Sequence, residues 1–334
     1  MNNNKILITG GAGYIGSHIY LSLLQEGFDP IIFDNLSRSN ANVIKRLEQI
    51  LDKKINFVKG DLLFKKELIE TLAKNKIETI IHLAGFKSIE ESVNNPMLYY
   101  QNNLVGLINL IDAALKYNCK HFLFSSSASI YDTNIKNHGI KENHIQNATN
   151  PYSATKQIAE KIIIDVSINS DLTYSILRYF NPAGAHSSGL IGDNFSLHPS
   201  NLFPIINMVA KKELSYLKVF GNDYDTPDGT AIRDYIHISD LAEGHVLSIK
   251  KLISENESHI LNLGSGKGYS VLDVVNCFNS ILDNKIEYKF FPRRQGDKGC
   301  IYADINLARN ILKWEPKKTL EEMCQSSWNV TSKN

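Results

Sequence analysis

KILITGGAGYIGSH, residues 5–18, joins a short apolar run to a glycine-rich turn and then to the start of an amphipathic pattern. Lys5–Thr9 has the length and β-branched content of a strand buried on both faces. Gly10, Gly13 and Gly16 follow at a spacing of three, and a helix is expected from about Tyr14. Such a loop turns tightly, lets backbone N–H groups approach a pyrophosphate and aims a helix N-terminus at that anion. Glycines alone are weak evidence, but a strand before them and a helix after them make a dinucleotide-binding turn. Asp34 closes the next apolar run, roughly 20 residues on, where an acid accepts hydrogen bonds from the adenosine ribose. A carboxylate there repels a 2′-phosphate, so NAD is expected rather than NADP.

The same alternation continues outward. Apolar runs at Pro30–Asp34, Asn56–Asp61, Thr79–Gly85, His121–Ser127 and Ser175–Phe180 are separated by helical patterns at Tyr14–Glu26, Lys65–Lys74, Met97–Tyr117 and Ser153–Ile168. Strand and helix in turn imply β-α-β units and a doubly wound parallel α/β sheet, Rossmann-like in plan. From Pro182 to Arg233 the periodicity weakens and Gly, Pro, Asn and Asp punctuate the chain; DYIHISD and a helix then bring it back. The expected organisation is a cofactor domain of residues 1–181 plus about 234–262, and a smaller mixed α/β substrate lobe of 182–233 plus about 263–334.

Composition narrows the function. The 334 residues carry a formal charge of +1, which gives no basic surface for nucleic acid or an anionic membrane. No apolar run approaches the roughly 20 residues that span a bilayer, and MNNNKILITGG lacks the apolar core of a secretory signal, so a cytoplasmic protein is expected. Cys119, Cys277, Cys300 and Cys324 form no C-x-x-C pair, which predicts neither a metal site nor disulfides, but separate thiols in packing positions.

PYSATK places Tyr152 and Lys156 four apart at the start of a helix, on one face. A free phenol titrates near 10, but a neighbouring ammonium favours the phenolate and makes it a usable base. Ser127, at the end of HFLFSSS, supplies a hydroxyl that orients substrate if the strands are adjacent.

Together, TGGAGYIG, Asp34, HLAG, FSSSAS, PYSATK and RYFNPAGAH resemble the extended short-chain dehydrogenase/reductase family, and SNLFP, VFGNDYDTPDGTAIRDYIHISDLAEGH, NLGSGKGYSVLDVV and PRRQGD extend the likeness to its nucleotide-sugar 4-epimerase branch. The resemblance implies a catalytic set of Ser127, Tyr152 and Lys156. It implies an NAD site lined by Gly10, Gly13, Tyr14, Ile15, Gly16, Asp34, Asn35, Asp61, Leu62, Leu83, Ala84, Gly85, Lys87, Asn102 and Phe180. A UDP-sugar would be held by Asn181, Asn201, Leu202, Phe220, Arg233, Arg294 and Asp297, with Ile301 at the position that gates the space beside the sugar C2 group. Arginine suits a buried diphosphate because its fork of donors is fixed and delocalised.

The implied activity is reversible 4-epimerisation of UDP-glucose and UDP-galactose through a 4-keto sugar, in a homodimer. Two other readings stand beside it: a 4-epimerase of UDP-N-acetylhexosamine or UDP-uronate, and a non-catalytic NAD sensor. Dehydration is disfavoured, because related dehydratases carry an Asp-Glu pair after the Ser position and this chain has Ala128 and Ser129. One departure from the family is Asp132, which follows Tyr131 where a glycine is usual.

Overall fold

A computed structural model of the chain describes residues 5–132, 139–193, 201–294 and 297–332. The strands in chain order are β1 (Lys5–Thr9), β2 (Asp29–Asp34), β3 (Phe57–Lys59), β4 (Thr79–His82), β5 (His121–Ser127), β6 (Thr173–Tyr179), β7 (Asn181–Ala183), β8 (Leu217–Phe220), β9 (Ile232–His237), β10 (His259–Leu263), β11 (Gly268–Ser270), β12 (Tyr288–Phe291) and β13 (Cys300–Ile301). The chain divides into two compact units: residues 1–132, 145–178 and 242–261, and residues 133–144, 179–241 and 262–334.

The first unit is built on a seven-stranded sheet of order β10-β6-β5-β4-β1-β2-β3. The pairs β1–β2, β1–β4, β2–β3 and β4–β5 are all parallel. Strand order reverses between β1 and β4, and an open α/β sheet binds ligands in the crevice beyond the strand ends at such a point. The strands are apolar throughout because helices cover both faces: Leu7, Ile80, Phe122 and Ile176 are fully buried against Leu68, Leu107, Leu110 and Ile163 of the helices. The pattern at Met97–Tyr117 is not one helix. It runs as Pro96–Tyr100, a π-helical turn at Gln101–Val105, and Gly106–Lys116. A wider turn of this kind re-aims side chains, here two adjacent asparagines.

The second unit holds a four-stranded sheet in which β9 pairs with β7, β11 and β13, and a two-stranded β8–β12 sheet. Its core gathers Phe203, Ile206, Tyr235, Val274 and Phe278. DYIH lies in β9, so the chain re-enters the first unit at Ala242 rather than at the expected residue 234. The cysteines are not all separate: the thiols of Cys277 and Cys324 are in hydrogen-bond contact between the Val271–Ile281 and Leu320–Ser332 helices. No helix of the described residues is long and apolar enough to cross a membrane.

Candidate active site

The glycine turn starts at the end of β1. Gly10 has φ +73° and no room for a side chain, since a Cβ there would stand 2.6 Å from the Ala84 nitrogen. At Gly16, inside the Tyr14–Gln25 helix, a Cβ would lie 2.5 Å from the Gly10 carbonyl oxygen, so only glycine lets helix and loop pack this closely. Gly13 N donates to Gly10 O at 3.1 Å and closes the turn, leaving Tyr14 and Ile15 in the first helical turn. Asp34 is buried at the end of β2. Its carboxylate accepts from Ala12 N (3.0 Å) in the glycine turn, and from Leu36 N (2.8 Å) and Ser39 Oγ (3.1 Å). Burial pushes this carboxyl up from its ordinary range, and those three donors act against the rise.

The other residues expected to line NAD extend from the same strand ends. Asn35 Nδ2 donates to Asp61 Oδ2 at 2.9 Å, and the Leu62 carbonyl accepts from Asn109 Nδ2 at 2.8 Å. Leu83 N donates to Thr9 O at 2.9 Å, which brings Leu83, Ala84 and Gly85 beside the glycine turn. Asn102 Nδ2 donates to Asn103 Oδ1 at 2.9 Å, Lys87 is exposed, and Phe180 is buried in the second unit.

Ser127, Tyr152 and Lys156 are drawn together in the first unit. Asn150 caps the Pro151–Ile168 helix, its side chain accepting from Ser153 N at 2.9 Å, and Pro151 occupies the first position. Tyr152 therefore stands in the first turn and Lys156 one turn later. The Tyr152 phenol is hydrogen-bonded to Ser127 at the end of β5. Lys156 is buried, and its Nζ donates to the Ser125 carbonyl at 2.6 Å. Burial pulls the ammonium down to about 8.

The ammonium and the positive nicotinamide of bound NAD are together expected to lower the Tyr152 pKa; in the chain alone burial raises it and the hydrogen bond to Ser127 provides the opposing pull.

Several residues around this set escaped the sequence. Glu160, one turn beyond Lys156, pairs with Arg178 of β6 at 2.6 Å, both side chains nearly inaccessible, and accepts from Ser126 Oγ. Arg178 also donates to Tyr131 Oη at 2.8 Å. Asn103 clamps the loop after β4: it accepts from Phe86 N (2.8 Å) and donates to Phe86 O (3.1 Å) and Thr155 Oγ1 (3.1 Å). A buried amide in QNNLVGLINL, among apolar neighbours, was the available signal for Asn103. Asp132 has no left-handed backbone, so nothing at that position requires the family's glycine.

In the second unit, Arg233 of β9 is bonded to the Asp297 carboxylate and donates to the carbonyls of Ile232 (2.8 Å) and Lys298 (2.9 Å). Ile301 of β13 is the register partner of Arg233. The Arg294 guanidinium lies 3.9 Å over the Phe220 ring, and is otherwise exposed. Asn201 donates to Asp193 Oδ2 at 2.6 Å just before Leu202 opens the Leu202–Ala210 helix, and Asn181 Nδ2 donates to Asp234 O at 2.9 Å. Asp234, unremarked in the sequence, is fully buried and accepts from the backbone nitrogens of Ser265, Gly266 and Ala303, fastening two loops to β9.

Known proteins resemble this chain along nearly its whole length. The GDP-mannose 4,6 dehydratase family matches residues 7–327. UDP-glucose 4-epimerase of Bacillus subtilis is 44% identical over 330 residues, covering 98% of this chain and 97% of that one. Among solved structures, UDP-glucose 4-epimerase of Stenotrophomonas maltophila with bound NAD and formylated UDP-arabinopyranose superposes with a TM-score of 0.95 at 38% identity, covering 98% of both chains. The enzyme of Bifidobacterium longum in complex with NAD+ and UDP gives 0.94 at 41% identity, covering 99% of this chain and 98% of that one. With matches of this identity along its whole length, and the glycine turn and Tyr–Lys helix in place, the chain belongs to the extended short-chain dehydrogenase/reductase family, in the group of the UDP-glucose 4-epimerases.

Proposed function

We propose that this protein interconverts UDP-glucose and UDP-galactose by inversion at C4 through a 4-keto sugar. The observation that carries the reading is the Tyr152 phenol hydrogen-bonded to Ser127, with the buried ammonium of Lys156 one helical turn away. The glycine cradle fits NAD, since the side chains missing at Gly10 and Gly16 keep backbone close and Asp34 rejects a 2′-phosphate. NAD, when bound, supplies a reversible hydride acceptor and a positive ring that favours the phenolate.

The protein's own groups do the rest. Tyr152 takes the proton from the sugar 4-hydroxyl and later returns it, and Ser127 orients that hydroxyl. The positive end of the Pro151–Ile168 helix favours the phenolate in its first turn. Asn181, Asn201, Leu202, Phe220, Arg233, Arg294 and Asp297 hold the UDP-sugar, the two arginines at its diphosphate. Few of these groups belong to a hexose ring, which leaves the keto sugar free to present its other face. Because the hydride returns in each cycle, no external oxidant is consumed.

A coupled assay with UDP-galactose tests this. Wild type turns over, and Tyr152→Phe retains NAD but loses turnover by about 10²–10⁴-fold, the usual worth of a positioned acid–base group. NAD binding with no turnover of any UDP-sugar would leave a cofactor sensor. Parallel runs with UDP-N-acetylgalactosamine and a UDP-uronate measure how far Ile301, of middle size, opens the site; glucose and galactose are expected as the main pair.

The same reading makes the protein a homodimer. Met97, Val105, Ile108 and Ile158 are exposed apolar residues on helices of the first unit that pack on one another, and a second copy would cover them. Sedimentation at twice the monomer mass is the expected result.

A further inference from the structure

Lys156 is a buried cation without an ion-pair partner among the described residues. The carboxylate nearest along its helix, Glu160, is bonded to Arg178 of β6 and to Ser126. Glu91 of the packed Ile89–Asn94 helix is held by Arg38 and the Tyr99 hydroxyl. Two neutral groups face the ammonium instead: the Ser125 carbonyl at 2.6 Å and the ring of Phe124, whose centroid is 4.8 Å from Nζ.

That ring is itself held in place. Thr9, His82 and Phe124 are direct register partners across β1, β4 and β5. His82 stacks on Phe124 at 5.8 Å and 24°, and its Nδ1 is hydrogen-bonded to Thr9 Oγ1 at 2.7 Å. The row therefore runs from the root of the glycine turn to the lysine. A charged imidazole in this row would repel the ammonium; burial and the Lys156 charge pull His82 down to about 3, so it stays neutral.

We propose that Phe124 is a positioning residue for the reaction: its ring face keeps the buried ammonium of Lys156 charged and seated where it supports the Tyr152 phenolate. This rests on the epimerase reading above. The negative face of an aromatic ring offsets part of what burial takes from a cation. With Lys156 drawn down to about 8, a small change in that support moves its titration through the working range. The titratable groups around it are Tyr152 and Glu160 on its own helix, His82 on β4 and Arg178 on β6; Glu160 acts to raise it, and Arg178 answers Glu160.

Phe124 is buried, so truncation to leucine risks the fold. The cleaner test replaces it site-specifically with 4-fluoro-, 3,5-difluoro- and 3,4,5-trifluorophenylalanine, which keep the shape and progressively weaken the ring's negative face. The expected result is an alkaline limb of the kcat profile for UDP-galactose that moves stepwise to lower pH, by about half a unit to one unit across the series. KM and NAD affinity at pH 7 stay as in wild type. The Lys156 pKa, read by NMR of ε-carbon-labelled lysine, falls in the same order, and this readout does not require turnover. An unmoved limb together with an unmoved Lys156 pKa overturns the proposal while leaving an active epimerase. Absence of turnover in wild type removes the epimerase reading instead, and the NMR titration still decides whether the ring supports the cation.

Discussion

Glu160 and Arg178 show what one ion pair does beneath this site. Both side chains are almost fully buried, and they are joined by two charge-assisted bonds, Nε to Oε1 at 3.0 Å and Nη2 to Oε2 at 2.6 Å. The pair takes Glu160 out of contention as a partner for Lys156. Glu160→Gln leaves Arg178 with an uncompensated buried charge, a loss of about 3–5 kcal/mol by analogy with other broken buried pairs. Urea unfolding followed by circular dichroism measures it, and a change within ±0.5 kcal/mol would mean the pair has no such role. At this scale the sequence was informative only where chemistry is local. The three glycines, Asp34 and the Tyr152–Lys156 spacing each lie within one turn or one β-α unit, so a local pattern could point to them. Asn103 and Phe86, Ser126 and Glu160, or Arg178 and Tyr131 meet across the sheet and its helices, and no spacing in the sequence announces them.

Among the elements, the Pro151–Ile168 helix carries the chemistry, and its start is fixed by Asn150 and Pro151. The Asn150 side chain answers Ser153 N, one of the donors that a helix leaves unpaired, and Tyr152 lies between the two. Asn150→Ala should cost about 1 kcal/mol and Asn150→Asp much less. Because the fraying turn is the one that aims the phenol, the alanine variant should also lose kcat with little change in NAD affinity. Equal loss in both variants would separate the cap from catalysis. The β-α repeats of the first unit were legible because β1, β2, β4, β5 and β6 each have four residues or more and read as apolar runs. In the second unit β7 and β11 have three residues and β13 two, too short for any periodicity, and they exist as strands only because β9 pairs with them. The same pairing drew DYIH into the second unit and displaced the expected boundary.

Both units keep histidines neutral in their interiors, and this sets how the whole molecule should respond to acid. Burial pulls His82 down to about 3 and His237 to about 4, and it lowers His121, His186 and His259 as well. An unfolded chain protonates its histidines near 6.5, whereas the folded one holds these two neutral until pH falls to about 4 and then 3. Between those limits the unfolded state binds more protons. Stability is therefore full above 6.5 and falls on acidification, by about 1.4 kcal/mol per pH unit for each such group. Asp34 and Asp234 work in the other direction, since burial raises both and the folded state then takes up a proton before the unfolded one. They offset part of the histidine slope wherever the folded state takes up those protons first. Urea midpoints at pH 7.5, 6.0 and 5.0 should fall in that order with an unchanged m-value. His82→Asn lowers stability at pH 7.5 through the lost packing on Phe124, yet flattens the acid dependence by about one group's slope, because the titrating imidazole is gone. If the variant kept the wild-type slope, the imidazole of His82 would have to be charged or solvated in the folded protein, and the row from Thr9 to Lys156 could not be built as described.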